Sequence, residues 1–399
     1  MKRPSVSEKI RDLYETYPYP TRMPGGSADP FLEYILSFAE SAPNAERSFL
    51  DAGCGTGLNV FGGAAIYPHF QIYGCDLNRV ALEQIRREAA LYGFHNLTVQ
   101  EMDLLHLERD FGPRQGFDVI YSTGVIHHTA DPAGVLKSLA GRLAPQGVLR
   151  LMVYGKRGRQ DLYRFACVAR SVYGHLPWPE RVREARGLME ALERSHRQHH
   201  GFPPGVARGP WEDALRTDDI EFADRYLNPH DQPFTVPSLQ SLVTDSGLEF
   251  LAWFEPRDWD LEGLLPELAQ SGRAPEESWA RFALIEELFD RPMLDLYLVK
   301  PGFRRRSVVV DADTVVGLNP QCFLHCYKAR GVSFHRLAQL RLGPERVLER
   351  DEGLLLETIG RRFMSVSEIT AEMPQPSLSH WLPVVTRLVE TDHLFCPHV

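Results

Sequence analysis

Positive charge, cysteine and long apolar runs are all scarce in this chain, and each scarcity narrows what it does. The 399 residues carry 53 Asp and Glu against 44 Lys and Arg, a formal charge of −9. A duplex nucleic acid as main partner would require clustered Lys and Arg to neutralise its phosphates, so none is expected. Six cysteines, Cys54, Cys75, Cys167, Cys322, Cys326 and Cys396, are too few and too scattered for a disulfide framework, which fits reduced thiols. No segment reaches the roughly 18 apolar residues that a membrane helix needs, and the stretch from Met1 to Lys9 has no apolar run behind its charges. The expected setting is the cytoplasm, with no membrane partner. Internal repeats and low-complexity stretches are also missing.

What remains is the composition of a folded protein, 43% hydrophobic and 24% charged, in a chain longer than one usual domain. A helical spacing over 5–15 ends in the Pro-rich stretch Tyr17-Pro18-Tyr19-Pro20. A second helix is expected over 29–40, with Asp29 as N-cap and Pro30 at its first position. From Ser48 onward short apolar runs alternate with longer helical stretches, the signature of strand-helix units around a parallel sheet. Strands are expected over 48–52, 71–75, 97–102, 119–122, 147–154, 248–254 and 294–299. The segment 156–200 carries 10 Lys or Arg against 5 Asp or Glu, a local net of +5, and interrupts the alternation as a helical insertion. The predicted class is α/β: a doubly wound, seven-stranded, mostly parallel sheet. An N-terminal helical cap over 1–46 precedes a main domain over 47–302, which carries the insertion over 156–230. A C-terminal module over 303–399 follows, with a winged-helix-like outline of helices and turns.

Gly53, Gly55 and Gly57 directly follow the first strand, where missing Cβ atoms bring main-chain N–H groups close to a ligand. Their spacing is G-x-G-x-G, with Leu58 where a dinucleotide fingerprint needs glycine, so a pyrophosphate is disfavoured. Asp76 ends the second strand 19 residues after Gly57, the place where an acceptor-only carboxylate takes both hydroxyls of a ribose. Asp51 and Asp103 end two further strands on the same sheet edge. Each of these carboxylates also suits a helix cap.

On Leu50-Asp51-Ala52-Gly53-Cys54-Gly55-Thr56-Gly57, Tyr73-Gly74-Cys75-Asp76-Leu77 and Phe117-Asp118-Val119-Ile120-Tyr121-Ser122-Thr123-Gly124-Val125-Ile126-His127-His128, the chain resembles the class I S-adenosylmethionine (SAM) dependent methyltransferase family. The likeness extends through Leu143-Ala144-Pro145-Gln146-Gly147, where Gln146 stands in the family's usual Pro-Gly-Gly turn. It implies a Rossmann-like methyltransferase fold with SAM as cofactor. Gly53, Gly55 and Gly57 would line the methionine part and Asp51 its ammonium, with Asp76 and Leu77 at the ribose. Asp103 and Leu104 would take the adenine, and Thr123, Gly124 and Val125 the sulfonium side.

Residues toward an acceptor are read from position. His127, His128 and Tyr154 end the fourth and fifth strands and are candidates for a base or a polar wall, or else for plain packing. Tyr14, Tyr17 and Tyr19 lie on a lid-like segment, Tyr14 and Tyr19 toward the cofactor and Tyr17 toward the substrate. Lys156, Arg157 and Arg159 could meet an anion, and His230 or Asp231 could reach the acceptor from the rim. The His196, His199, His200 group and the Cys322, His325, Cys326 group match no metal-ligand spacing, so no metal is expected. Methyl transfer to a small-molecule or peptide-like acceptor is the leading reading. Aminocarboxypropyl transfer or cyclisation on the same fold, and a non-catalytic SAM-binding regulator, stay open. The C-terminal module would aid recognition or form a homodimer.

Overall fold

In the computed structural model the alternating apolar runs become one seven-stranded sheet. Its strands are β1 (Arg47–Ala52), β2 (Phe70–Asp76), β3 (Leu97–Glu101), β4 (Phe117–Thr123), β5 (Leu143–Tyr154), β6 (Glu249–Trp253) and β7 (Met293–Val299). The structure describes residues 4–22, 26–40, 46–107, 110–199, 215–329, 332–339, 346–375 and 377–398. The sheet order is β3-β2-β1-β4-β5-β7-β6, parallel except for β7, which runs antiparallel to both β5 and β6. Phe49, Leu50, Ile72, Val119, Ile120, Leu149 and Leu151 are fully or almost fully buried. That is why these strands read as near-continuous apolar runs: helices cover both faces of a parallel sheet. Strand order reverses between β1 and β4, so the connections after these two strands diverge and leave a crevice at their carboxyl ends.

Local chemistry sets the helices between the strands. Asn78 caps the helix Arg79–Tyr92 by accepting from the Ala81 N–H at 3.0 Å, and Gly93, at φ +73, closes it. Asp131 caps Pro132–Arg142, with proline at the first position. Among the described residues the insertion supplies the helices Gln160–Tyr173, Trp178–His199 and Asp219–Leu227. Their apolar sides meet the N-terminal helix Val6–Thr16 in one cluster that includes Leu13, Phe165, Trp178, Met189, Phe222 and Leu227. Among the described residues no helix is long and apolar enough to cross a membrane.

The chain divides into two compact units, residues 1–30 with 45–302, and residues 31–44 with 303–399. Residues 31–44 were read as part of the N-terminal cap. The helix expected over 29–40 is shorter, Leu32–Leu36. Phe31 sits in the left-handed region at φ +55, which no helical residue adopts, so Asp29 cannot cap the helix; its carboxylate accepts from the Tyr67 hydroxyl at 2.6 Å instead. Within the second unit, Tyr34 donates to Asp392 at 3.0 Å and meets Phe395 edge-on. The helices Arg350–Ile359, Val366–Glu372 and Leu378–Glu390 pack around Val316, Leu355, Ile369, Trp381 and Leu388. The strand Val315–Leu318 pairs antiparallel with Met364–Ser365 on one side and Leu394–Phe395 on the other. These strands are too short to show in the sequence as alternating patterns.

Candidate functional site

The crevice beyond β1 and β4 begins with the glycine loop. Gly53, Gly55 and Gly57 have φ of +89, +51 and +94, values that side chains with a Cβ rarely adopt. The N–H groups of Gly53 and Cys54 donate to the Cys75 carbonyl at 2.8 and 3.0 Å, tying the loop to β2. A Cβ on Gly53 would lie 2.5 Å from a methyl of Val125, and one on Gly55 would lie 2.4 Å from the Tyr19 carbonyl oxygen. Close approach of two other segments is therefore a second reason for glycine here.

Two carboxylates flank this loop, Asp51 buried and Asp76 half-buried. Asp51 accepts from Asn59 Nδ2 at 3.3 Å. Burial pushes its pKa up to about 7, helped by the Asp76 charge and opposed by the Asn59 bond and Arg150. Asp76 accepts from the Gly55 N–H through one oxygen and from the Asn78 N–H through the other, each at 2.8 Å. Burial raises its pKa, and these main-chain bonds hold it down in part. Each oxygen keeps a second lone pair for a ligand hydroxyl. Leu77 follows, half-buried. Asp103 accepts from the Leu105 N–H at 3.0 Å, capping the short 3₁₀ turn Leu104–His106, while Leu104 is buried in the main core.

The N-terminal tyrosines lie against this loop. The Thr56 hydroxyl donates to the Pro20 carbonyl at 2.7 Å, and Arg22 Nε donates to the Thr56 carbonyl at 2.9 Å. Asn78 Nδ2 donates to the Tyr14 carbonyl at 2.7 Å. The Tyr14 hydroxyl in turn donates to Asp224 at 2.8 Å and accepts from Asn228 Nδ2 at 3.2 Å. A chain of bonds thus runs from Asp76 through Asn78 and Tyr14 to the insertion helix Asp219–Leu227. Tyr19 is mostly buried, and burial raises its phenol far above the usual range. Tyr17 turns away and meets Trp178 edge-on at 6.2 Å.

Beyond β4, Thr123 and Val125 are half-buried, and Gly124, at φ +77, donates its N–H to the Met152 carbonyl at 3.0 Å. His127 and His128 follow on the turn Ile126–His128. His127 is wholly buried and stacks on Tyr154 at 4.1 Å; neither of its ring nitrogens has a hydrogen-bond partner among the described residues. Burial pushes its pKa well below the usual value, and burial also lowers that of His128. His128 Nδ1 donates to the His230 carbonyl at 3.0 Å. Segment 228–234 crosses here: the Gln232 N–H donates to the His127 carbonyl and the Phe234 N–H to the Tyr154 carbonyl, both at 2.8 Å.

The three basic candidates separate. Arg159 lies over the Tyr154 ring at 3.5 Å, with Nε and Nη2 unpartnered among the described residues. Arg157 is drawn instead to Glu286 and Glu287, and Lys156 is exposed, bonding to the Phe234 carbonyl only through its backbone. His230 Nε2 and Asp224 Oδ2 are buried without partners among the described residues. Sequence reasoning missed Asn59, Asn78, Tyr163 and Asp224. Asn78, two residues past a strand-ending Asp and just before a helix, carried an N-cap signal. Asp224 lies in a helix of the insertion, where nothing local marks it. The side chains of His196, His199, His200, His325 and Cys326 lie outside the described residues.

Comparison with known proteins agrees with this geometry. Residues 50–149 match a family model described as a methyltransferase domain. An uncharacterised protein of Synechococcus is 25% identical over 71% of this chain and 69% of its own length. A tRNA U34 carboxymethyltransferase of Desulfotalea psychrophila is 28% identical over 36% of this chain and 43% of its own. Among solved structures, PKMT2 from Rickettsia typhi superposes with a TM-score of 0.71 at 16% identity, covering 96% of this chain and 77% of that one. The same protein is also solved in complex with AdoHcy.

Proposed function

From a chain whose residues 50–149 match a methyltransferase-domain model, we infer an enzyme of the class I SAM-dependent kind that transfers the SAM methyl group to a small-molecule or peptide-like acceptor held between the sheet edge and the insertion. One observation carries the placement of the cofactor: Asp51, buried, and Asp76, half-buried, end adjacent strands on either side of a loop whose three glycines all have positive φ. In this reading Asp76 takes the ribose hydroxyls, Asp51 the methionine ammonium and the glycine loop the methionine main chain. Leu77, Asp103 and Leu104 border the nucleoside, and Thr123 to Val125 lie along the sulfonium. Tyr14 and Tyr19 close the site from outside.

Methyl transfer is an in-line displacement at a carbon activated by its sulfonium, so the protein mainly aligns a nucleophile about 3 Å away and excludes water. Tyr154, His127, His128 and the rim segment with His230 wall that space. Burial holds His127 neutral, so it serves this space as a polar wall, with neither ring nitrogen partnered among the described residues. Arg159 is the basic residue placed to orient an anionic group; Arg157 is engaged elsewhere. The net charge of −9 favours an acceptor other than nucleic acid, and the tRNA-modifying relative matches only 36% of the chain. A cytoplasmic setting, and recognition or dimerisation through a winged-helix-like module over 303–399, belong to this same reading.

Incubation of the purified chain with SAM, followed by mass spectrometry, tests the chemistry. S-adenosylhomocysteine formed only when an acceptor is added is the expected product. Methylthioadenosine released from SAM alone would overturn methyl transfer in favour of chemistry on the aminocarboxypropyl arm.

A further inference from the structure

We propose that His127, His128 and Asp231 form a binding site for one divalent cation of the zinc, cobalt or nickel kind, on the acceptor side of the crevice. A ring nitrogen of each histidine and a carboxylate oxygen of Asp231 all lie within 4.8 Å of one another. The Asp231 side chain is 3% exposed, the His127 residue 0% and the His128 residue 4%. In so dry a place polar atoms are normally hydrogen-bonded. Yet both nitrogens of His127, Nε2 of His128 and Oδ1 of Asp231 have no partner among the described residues. Three buried side chains, each with an unsatisfied ligand-type atom and brought this close together, offer what one divalent ion requires.

The surroundings are those of a ligating histidine. His128 donates Nδ1–H to the His230 carbonyl at 3.0 Å, which fixes the tautomer and leaves the Nε2 lone pair bare. The backbone of His127 is held by the Gln232 N–H at 2.8 Å, joining the two segments that supply the ligands. The cations that face Asp231 do not satisfy Oδ1: Arg159 lies over Tyr154 and Arg170 donates to the Asn228 carbonyl, while the Tyr163 phenol stands beside the same carboxylate. Two imidazoles and one carboxylate suit a borderline ion, and three protein ligands leave coordination positions open. With metal–ligand bonds of about 2.0–2.1 Å, the ligand atoms would draw together to about 3.3–3.4 Å of one another on binding. The open positions would take an oxygen of the acceptor. That role rests on the methyltransferase reading; the binding itself does not.

The full chain, stripped by chelator and titrated with Co²⁺ alone, is expected to take up one equivalent with visible ligand-field absorption. Asp231→Asn and His127→Gln should each weaken cobalt binding by more than about 10-fold, with the fold checked by circular dichroism. No cobalt uptake by the folded wild-type chain, or uptake unchanged in both variants, overturns the site. SAM titrated into the same samples by calorimetry separates the two ideas. SAM binding without cobalt binding removes the metal site and leaves the methyltransferase reading standing, whereas cobalt binding without SAM binding does the reverse.

Discussion

At the scale of single residues the cofactor site makes three sharp demands. Asp76→Ala removes the carboxylate proposed to take the ribose hydroxyls, and a hydrogen bond to a charged group contributes about 1.5–3 kcal/mol. SAM affinity should therefore fall by at least roughly 10–150-fold in calorimetric titration; an unchanged Kd would move the ribose elsewhere. Asp51 gives a pH signature. Its pKa stands at about 7 because burial disfavours the charge, so the empty protein is more stable with Asp51 protonated and loses that contribution as pH rises through 7. A ligand ammonium acts in the opposite direction and favours the carboxylate, with Asp76 and Arg150 as the neighbouring charges. SAM binding should weaken as pH drops from 8 to 6. Asp51→Asn should flatten that dependence and stabilise the empty protein at pH 8 in thermal melts. Gly55→Ala combines a φ of +51 with a Cβ 2.4 Å from the Tyr19 carbonyl. A left-handed conformation alone costs about 1–2 kcal/mol with a Cβ, so urea unfolding should show at least that loss. Proteolysis near 17–22 should also speed up as the N-terminal segment is pushed off the loop.

At the scale of elements, the N-terminal helix, the helix Arg79–Tyr92 and the insertion helix Asp219–Leu227 are joined through one phenol. Tyr14→Phe keeps the ring but leaves Asp224 Oδ1 and Asn228 Nδ2 without that partner. A buried polar group left unsatisfied costs about 1–3 kcal/mol, so the unfolding free energy should fall by that amount, read as a lower denaturant midpoint with an unchanged m-value. The strands were legible in the sequence to within a few residues because a parallel sheet buried on both faces writes itself as apolar runs with punctuation between. Gly53, Gly55 and Gly57 were legible too, since positive φ has few alternatives to glycine. The short helix Leu32–Leu36 was not: Asp29-Pro30 is a good local start signal, but Phe31 at φ +55 breaks the chain direction, and a contact distant in sequence occupies Asp29. Arg157 and Arg159 show the same divide, because residues of identical type two positions apart meet Glu286 and Tyr154 respectively only after folding.

At the scale of the whole molecule, the two compact units do not follow a single cut in the sequence. Residues 31–44 belong with 303–399, where Tyr34 donates to Asp392 and meets Phe395 edge-on. A chain ended at residue 302 should therefore still bind SAM but lose these partners of Tyr34, giving lower solubility in light scattering and a lower melting temperature than the full chain. Equal solubility and melting would argue that the segment is stable without its partners.

The sequence by itself determined the sheet, the glycine loop and the carboxylates at the strand ends, because strand period, positive φ and helix capping are local and leave marks within a few residues. The tertiary structure decided which distant side chains meet: Tyr14 with Asp224, and His128 with His230 and Asp231, about a hundred residues away or more. Those pairings depend on burial of the insertion's apolar faces against the N-terminal helix, a non-directional force that brings surfaces together and leaves no motif behind.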